Sequence, residues 1–331
     1  MTASVQPVRW GIAATGRIAE RFVTGLRQLP DAEVAAVASR TEARAEEFGA
    51  AYDIPRRHGS YQALAEDPDV DVVYVASPHS RHEPDTLAFV AAGKPVLCEK
   101  PFALDDGQAR RMVEAARARG LFLMEAIWSR FLPAYGVLRD LLAAGRIGEP
   151  QFVEADFGFR RPFDPRHRLF DRALGGGALL DLGIYPAQLA AMVFGDPDGI
   201  AAQAHIGQSG VDEAVAAVLH HPGGGLAVLK AAIRVEMPCT ARISGTEGWI
   251  CLPAFMHCPD HLLVSTAPGD PPERIDCGWD GEGLRFQAVE VHDCLRAGRT
   301  ESPIMPLDET VALAATLTAI RTEIGLTYPG D

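Results

Sequence analysis

The sequence predicts an α/β protein of two domains: a doubly wound parallel sheet over residues 1–128, then an α+β domain over residues 129–331 with an open, mostly antiparallel sheet. Three observations predict it. The chain, at 331 residues, is longer than one hydrophobic core usually organises. From Val8 to about Ile127 short apolar runs alternate with helical patterns, which marks a parallel sheet flanked by helices. Beyond Phe131 strand-like segments follow one another with few helices between them, and strands without crossovers pair antiparallel.

In the first domain the strands read Val8–Thr15, Glu33–Ser39, Val72–Ser77, Pro95–Glu99 and Leu121–Ile127. Helical segments lie around Ile18–Leu29, Glu42–Phe48, Glu83–Ala92 and Asp105–Arg119. Gly49, Gly93 and Gly120 follow the last three and suit a left-handed helix end. In the second domain a helix around Ala134–Ala144 ends near Gly145. Strands read at Gln151–Phe159, Ala214–His220, Leu226–Val235 and Thr240–Ser244, with turn residues such as Pro222-Gly223-Gly224-Gly225 between two of them. A long helix near Leu179–Phe194 interrupts the series. Two more, about Leu284–Ala297 and Asp308–Ile324, close the chain.

Composition narrows the function. Apolar residues make up 47% and charged residues 23%, the balance of a globular protein. A net charge of -13 without a basic run argues against nucleic acid as a partner. No stretch approaches the ~20 uninterrupted apolar residues of a membrane span, and the N-terminus lacks the basic start of a signal peptide, so a cytoplasmic location is expected. Six cysteines without a CxxC pair give no reason to expect a metal site or a disulfide framework. Only Lys94, Lys100 and Lys230 of the 31 basic residues are lysines. Where arginine serves for ordinary surface charge, a lysine in a pocket points to a titratable amine, since arginine keeps its proton.

The first strand leads through Ala14-Thr15-Gly16-Arg17-Ile18-Ala19 into a helix. A dinucleotide fold requires a tight turn here, a bare backbone where the pyrophosphate approaches, and a small residue where helix meets strand. Gly16 and Ala19 meet the last two needs, and Ala14 stands where the first glycine of GxGxxG usually stands. The second strand ends in Ser39-Arg40, about where NAD enzymes place an acid for the ribose hydroxyls. A hydroxyl and a guanidinium there would bind a 2′-phosphate, so the reading is NADP over NAD; an exposed arginine at an ordinary helix start is the plainer alternative.

The run Cys98-Glu99-Lys100-Pro101-Phe102-Ala103 resembles the EKP motif of the glucose-fructose oxidoreductase, inositol dehydrogenase and rhizopine catabolism family (Gfo/Idh/MocA). Trp10-Gly11-Ile12, the segments Leu121–Trp128 and Gly175–Tyr185, and Glu301-Ser302-Pro303 are similar to its branch of dimeric dihydrodiol dehydrogenases and NADP-dependent D-xylose 1-dehydrogenases. The resemblance implies a Rossmann domain, an open antiparallel sheet used for homodimerisation, and NADP bound at the domain junction. Carried over by motif, it implies Lys100 as the active-site lysine, with Asp181 and Tyr185 of the DxGxY segment completing a polar site. The cofactor set comprises Ala14, Thr15, Gly16, Arg17, Ile18, Ser39, Arg40, Ser77, His82, Glu99 and Lys100, and an aromatic substrate pocket maps onto Trp128, Phe157 and Trp279. No tryptophan stands near Met256-His257, where the mammalian enzymes of that branch are expected to carry one, which argues against their aromatic diol as substrate.

The chemistry fits these residue types. Oxidising an alcohol by hydride transfer needs a base for the hydroxyl proton, and a tyrosine with a free pKa near ~10 needs a neighbouring ammonium to serve at neutral pH. Lys100 ends a parallel strand, where ligands bind in such sheets. Asp181 and Tyr185, four apart on a helix, share a face. Pro186 requires that the helix be locally opened or only just begun there. Singly, each has a plainer reading: Asp181 as a helix cap, Tyr185, Trp128 and Trp279 as core, Lys100 and His82 as solvated, Glu99 as locally paired. Their joint occurrence favours an NADP-dependent dehydrogenase of a sugar or cyclic polyol, with a dihydrodiol dehydrogenase or a non-catalytic NADP sensor as alternatives.

Overall fold

A computed structural model describes residues 6–329 and divides into two compact units. In chain order the elements of the first stretch are β1 (Val8–Ala13), α1 (Arg17–Leu26), β2 (Ala32–Ala38), α2 (Glu42–Ala51), β3 (Arg56–His58), α3 (Tyr61–Ala65), β4 (Val72–Val75), α4 (His82–Ala91), β5 (Val96–Glu99), α5 (Asp106–Arg119) and β6 (Leu123–Ala126). There follow α6 (Pro133–Ala143), β7 (Pro150–Gly158), a π-helical turn (Leu179–Gly183) running into α7 (Ile184–Phe194), β8 (Gly199–Ile206), β9 (Asp212–His220), β10 (Leu226–Ala232), β11 (Ala241–Gly245), β12 (Gly248–Leu252), β13 (His261–Ser265), β14 (Glu273–Asp276), α8 (Arg285–Arg296) and α9 (Leu307–Glu323).

The first unit takes residues up to Ala103, Gly107–Trp128 and Asp280–Thr310. Its sheet has the order β3-β2-β1-β4-β5-β6 with every pair parallel. The chain therefore switches direction across the sheet between β1 and β4, where doubly wound folds bind nucleotides. Strands β4, β5 and β6 are buried at every residue, as expected when helices cover both faces. Phe22 stacks on Tyr74 at 3.9 Å, and Trp10 meets Phe22 edge-on at 5.1 Å.

Residues 280–310, assigned by sequence to the second domain, are counted with this unit for a physical reason. The Trp10 indole donates to His292 Nε2 at 2.9 Å, which leaves His292 Nδ1 to donate to Asp31 at 3.1 Å, where Arg296 also binds at 2.7 Å. These bonds pin α8 beside β1 and the start of β2. Gly93 and Gly120 end their helices with positive φ as expected. Gly49 does not: it lies inside α2, where a Cβ would collide with the Arg57 side chain, and the left-handed residue after that helix is Asp53.

The second unit takes Leu104–Asp106, Ser129–Trp279 and the chain from Val311 onward. Its eight-stranded sheet has the order β14-β13-β12-β11-β7-β10-β9-β8, antiparallel except for the parallel pair β7 and β10. One sheet face packs on the π turn and α7. On the other, Val218 faces Val228 and Phe152 faces Leu226 across the ladder, with Val218 44% and Phe152 37% exposed. Arg172–Phe194 is long and apolar enough to cross a membrane, yet most of it is buried inside this unit, as in a core helix.

Candidate active site

In the first unit the β1–α1 turn is shaped by its backbone. Ala14 takes φ 106, a region that L residues occupy only under constraint, and its N–H is held by Ala38 O at 3.0 Å. The alanine thus adopts the turn for which a glycine is the usual choice. Gly16 is the N-cap of α1 and offers no side chain to the first helical N–H groups; nothing lies within 4 Å of where its Cβ would stand. Unsatisfied N–H groups at an open helix start are a receptor for an anion. Thr15 and Ile18 are half-buried there, and Arg17 is exposed.

At the end of β2, Ser39 is buried and Arg40 exposed, and Thr41 caps α2 without a side-chain bond, so a second helix start is open. Burial pushes the Tyr61 hydroxyl up to about 12, Asp85 adds to that rise, and the charges opposing it are Arg40 and Arg81. Two guanidiniums therefore sit near one tyrosine beside this helix start. Ser77, after β4, is buried with an unpartnered hydroxyl. An orphaned hydroxyl, two open helix starts and a bare Gly16 fit a dinucleotide bearing an extra phosphate.

The turn after β5 is tied at three points. The Lys100 N–H donates to Glu99 at 3.2 Å, His82 Nδ1 bonds the Pro101 carbonyl at 2.7 Å, and the Phe102 N–H donates to Glu125 at 2.9 Å. The Lys100–Pro101 peptide is cis. His82 Nε2 also lies 2.9 Å from the Ser77 carbonyl, so one buried imidazole links the β4 and β5 loops; burial holds its pKa below the usual value. His82 is therefore a brace within the protein: the single N–H of its neutral ring donates to one of these two backbone carbonyls, and the ring packs between them. Glu99 is buried and accepts from Tyr74, which supports the plainer reading of a local pair; burial raises its pKa. Glu125, which the sequence reading left without a role, is the third tie of the lysine turn. Trp128 is buried, with Arg21 lying 5.3 Å over its ring.

In the second unit the Pro186 question resolves both ways at once. The turn Leu179–Gly183 is π-helical, with the Ile184 N–H reaching back to Leu179 O, and α7 begins directly after it. A widened turn accommodates a residue that has no N–H to give. Asp181 lies on the π turn and Tyr185 in the first turn of α7, both buried. Both Asp181 oxygens accept from the Arg168 guanidinium, each at 3.1 Å, so its carboxylate is fixed in orientation by a bidentate pair. Arg168, in a single 3-10 turn (Arg168–Phe170), carries no periodic signal.

Tyr185, Phe157 and His257 form one ring cluster. Phe157 stacks on His257 at 4.4 Å and 18°, and Tyr185 lies 5.4 Å from Phe157 and 5.2 Å from His257. The loop carrying His257 is held by Ser129 on the His257 carbonyl at 2.5 Å, by Tyr135 on Met256 O at 3.0 Å, and by the Met256 N–H on Cys239 O at 2.8 Å. Cys258 Sγ lies 3.5 Å from His257 Nε2. Of the expected aromatic pocket, Phe157 is in this cluster and Trp279 is half-buried in the same unit. His257 is the ring that sequence reasoning missed. Among the described residues no cluster of histidine, cysteine and carboxylate side chains could hold a metal, and no disulfide joins any of the six cysteines.

Fold and site define an oxidoreductase with a nicotinamide-dinucleotide-binding Rossmann domain. Residues 8–127 match the model of the oxidoreductase family with an NAD-binding Rossmann fold, and residues 135–251 match the GFO/IDH/MocA C-terminal domain. The chain belongs to the Gfo/Idh/MocA family. It is 42% identical over 332 residues to the trans-1,2-dihydrobenzene-1,2-diol dehydrogenase of Homo sapiens, covering 98% of this chain and 99% of the human one. Among solved structures it resembles the 3-ketoreductase KijD10 of Actinomadura kijaniata in complex with NADP and TDP-benzene (27% identity, TM-score 0.87, 96% and 98% of the two chains). The aldose-aldose oxidoreductase of Caulobacter crescentus complexed with glycerol is similar at 28% identity and TM-score 0.87, over 96% and 97%.

Proposed function

We propose that this protein is an NADP-dependent dehydrogenase acting on a CH–OH group of a sugar or cyclic polyol. NADP, when bound, would supply the hydride acceptor for the substrate carbon. In this reading Tyr185 takes the hydroxyl proton, Lys100 supplies the ammonium that stabilises the resulting phenolate, and Asp181, held by Arg168, orients the reacting hydroxyl. Ser39, Arg40 and the open start of α2 receive the 2′-phosphate, while Gly16 and the start of α1 receive the pyrophosphate.

The observation that carries the substrate class is the cluster of Phe157, His257 and Tyr185. Phe157 offers an apolar face for a ring. Beside it stands an imidazole in place of a further apolar ring, which makes this wall less apolar and favours a substrate rich in hydroxyls over an arene. The high identity to a dihydrodiol dehydrogenase favours the second reading, an arene diol, which would stack on the same Phe157.

The test is an absorbance assay at 340 nm with NADP and NAD against aldoses, inositols and cyclic diols, run with the native chain and with Tyr185→Phe. The variant should bind NADP and lose turnover by ~10²–10⁴, as for a removed general acid–base group. Near-normal turnover of that variant, with chemistry limiting the rate, would remove Tyr185 from the mechanism.

We also propose a homodimer through the outer face of the eight-stranded sheet. A sheet face that leaves Val218, Phe152 and their cross-strand partners uncovered gains by burial against a second copy. Six cysteines outside any disulfide are compatible with the cytoplasmic location expected for the chain.

A further inference from the structure

The turn Gly175–Leu179, which launches the helix bearing Asp181 and Tyr185, is gripped from the sheet by a residue far away in sequence. Asp212, the first residue of β9, is fully buried, and its Oδ2 accepts from the Leu179 N–H at 2.6 Å. Its other oxygen has no hydrogen-bond partner and fills the space beside Gly177, where any Cβ would collide with it. Gly177 itself has φ +125, open only to glycine at little cost. From the other side Tyr328 donates to the Gly176 carbonyl at 2.6 Å. The Gly177 N–H donates to Leu169 O at 2.9 Å, and Gly176 packs so closely on the Arg168 and Leu169 carbonyls that a Cβ would not fit. The same turn therefore fixes the backbone of Arg168, whose guanidinium holds Asp181.

A polar acid at this place is not what packing alone would select. The site is apolar on the sheet side, where Val215 and Ala217 of the same strand are buried, and one carboxyl oxygen gains no bond. Burial pushes the carboxyl up to about 7, while the N–H groups of Leu179, Asp212 itself and Ala178 pull it back. A helix start with a local Ser, Thr or Asn cap needs no such group. Here the residue before the helical turn is Ala178, preceded by Gly177, and neither has a side chain that can cap, so the acceptor is delivered across the unit.

We propose that Asp212 is a positioning residue: by capping the helix start at Leu179 and filling the space beside Gly177, it sets the register in which Asp181, Arg168 and Tyr185 are presented. It acts through its acceptor oxygen and its volume. This rests on the reading of Asp181 and Tyr185 as the residues of chemistry.

The experiment compares Asp212→Ala with Asp212→Asn, which keeps shape and acceptor. Asp212→Ala is expected to lower kcat at least 10-fold, to leave the dissociation constant of NADP unchanged, and to speed amide hydrogen exchange in residues 178–185 while exchange in the Rossmann sheet stays as it was. Asp212→Asn restores most of kcat and of the local protection. Should Asp212→Ala not fold, Gly177→Ala attacks the same contact from the other side and is expected to show the same signature. Native kcat in Asp212→Ala or Gly177→Ala, or exchange raised uniformly over the chain, overturns the proposal. Hydrogen exchange reads the grip without turnover. An error in the catalytic assignment would instead show as native turnover in Tyr185→Phe, with the local exchange effect of Asp212→Ala intact.

Discussion

Asp212→Asn should remove a pH dependence of stability that the native chain carries. The native carboxyl is fully buried and titrates at about 7, against 3.8 for the free group, with burial as the main cause. Below the unfolded value both states are protonated and the residue has no linkage effect. As the pH rises from about 4 to about 7 the unfolded chain ionises first, so stability is lost over that window and the loss is complete once the folded group ionises. At 1.36 kcal/mol per unit, the interval corresponds to about 4 kcal/mol. The amide of the variant still accepts from Leu179 and never ionises. Urea denaturation of both proteins at pH 4.5, 6 and 8 reads the difference directly: the variant should gain on the native chain by about 3 kcal/mol between the two ends, the part of the interval that lies above pH 4.5. Other carboxylates, such as Asp67 and Asp71, are held below their usual range and slope the opposite way, but they are common to both proteins and cancel. A difference that stays flat from pH 4.5 to 8 would refute the reasoning, since it would mean that Asp212 ionises no differently folded than unfolded. A gain in stability at neutral pH on losing the carboxyl would place this residue among the positions where a fold carries a local cost for the sake of its site.

Three further outcomes follow from the geometry. Arg40→Asp should shift the ratio of kcat/KM for NADP over NAD by roughly 10²-fold toward NAD, by replacing a phosphate contact with repulsion; equal use of NAD by the native chain would already contradict the assignment. Arg168→Met should lower kcat/KM roughly 10-fold through disorder of Asp181, about 1–2 kcal/mol once the 51% exposure of the arginine side chain is discounted, and steady-state rates at saturating NADP measure it. Val218→Asp, which puts a charge on the uncovered sheet face, should convert a dimer to a monomer in light scattering at micromolar concentration, whereas a native chain that is already monomeric would rule that interface out.

How much of this was legible in the sequence depends on the range of the forces involved. All five core strands of the first sheet show as apolar runs because both of their faces are covered. The edge strand β3, Arg56–His58, has three half-buried polar residues and gives no such run, and the short helix Tyr61–Ala65 gives no period. In the second sheet β7, β9, β10 and β11 were legible, while β8, β12, β13 and β14 were not read; β8 and β14 carry small or charged residues that are largely exposed. Motif reading located Lys100, Asp181 and Tyr185. It could not find Glu125, Arg168, His257 or Asp212. Each of these acts through a contact 13 to 72 positions away, and nothing in its own neighbourhood announces it.

The two groups of candidate residues, one in each unit, are built by different means, and this bears on what can vary. In the first unit the receptor proposed for the dinucleotide is largely backbone: the Ala14 turn, the bare Gly16 and the starts of α1 and α2. Backbone placement follows from the sheet, so a chain that keeps the sheet keeps the cofactor receptor. In the second unit the surroundings of Tyr185 are side chains from separate loops and strands, Phe157 on β7 and His257 after β12, joined only by packing. Exchanging one of these rings alters the surface offered to a substrate and leaves the helix start at Leu179 where Asp212 holds it. On the proposed reading the family fold carries the hydride chemistry, whereas substrate choice would be decided at positions such as His257. Identity of 42% to an arene diol dehydrogenase consequently speaks for the reaction more strongly than for the substrate.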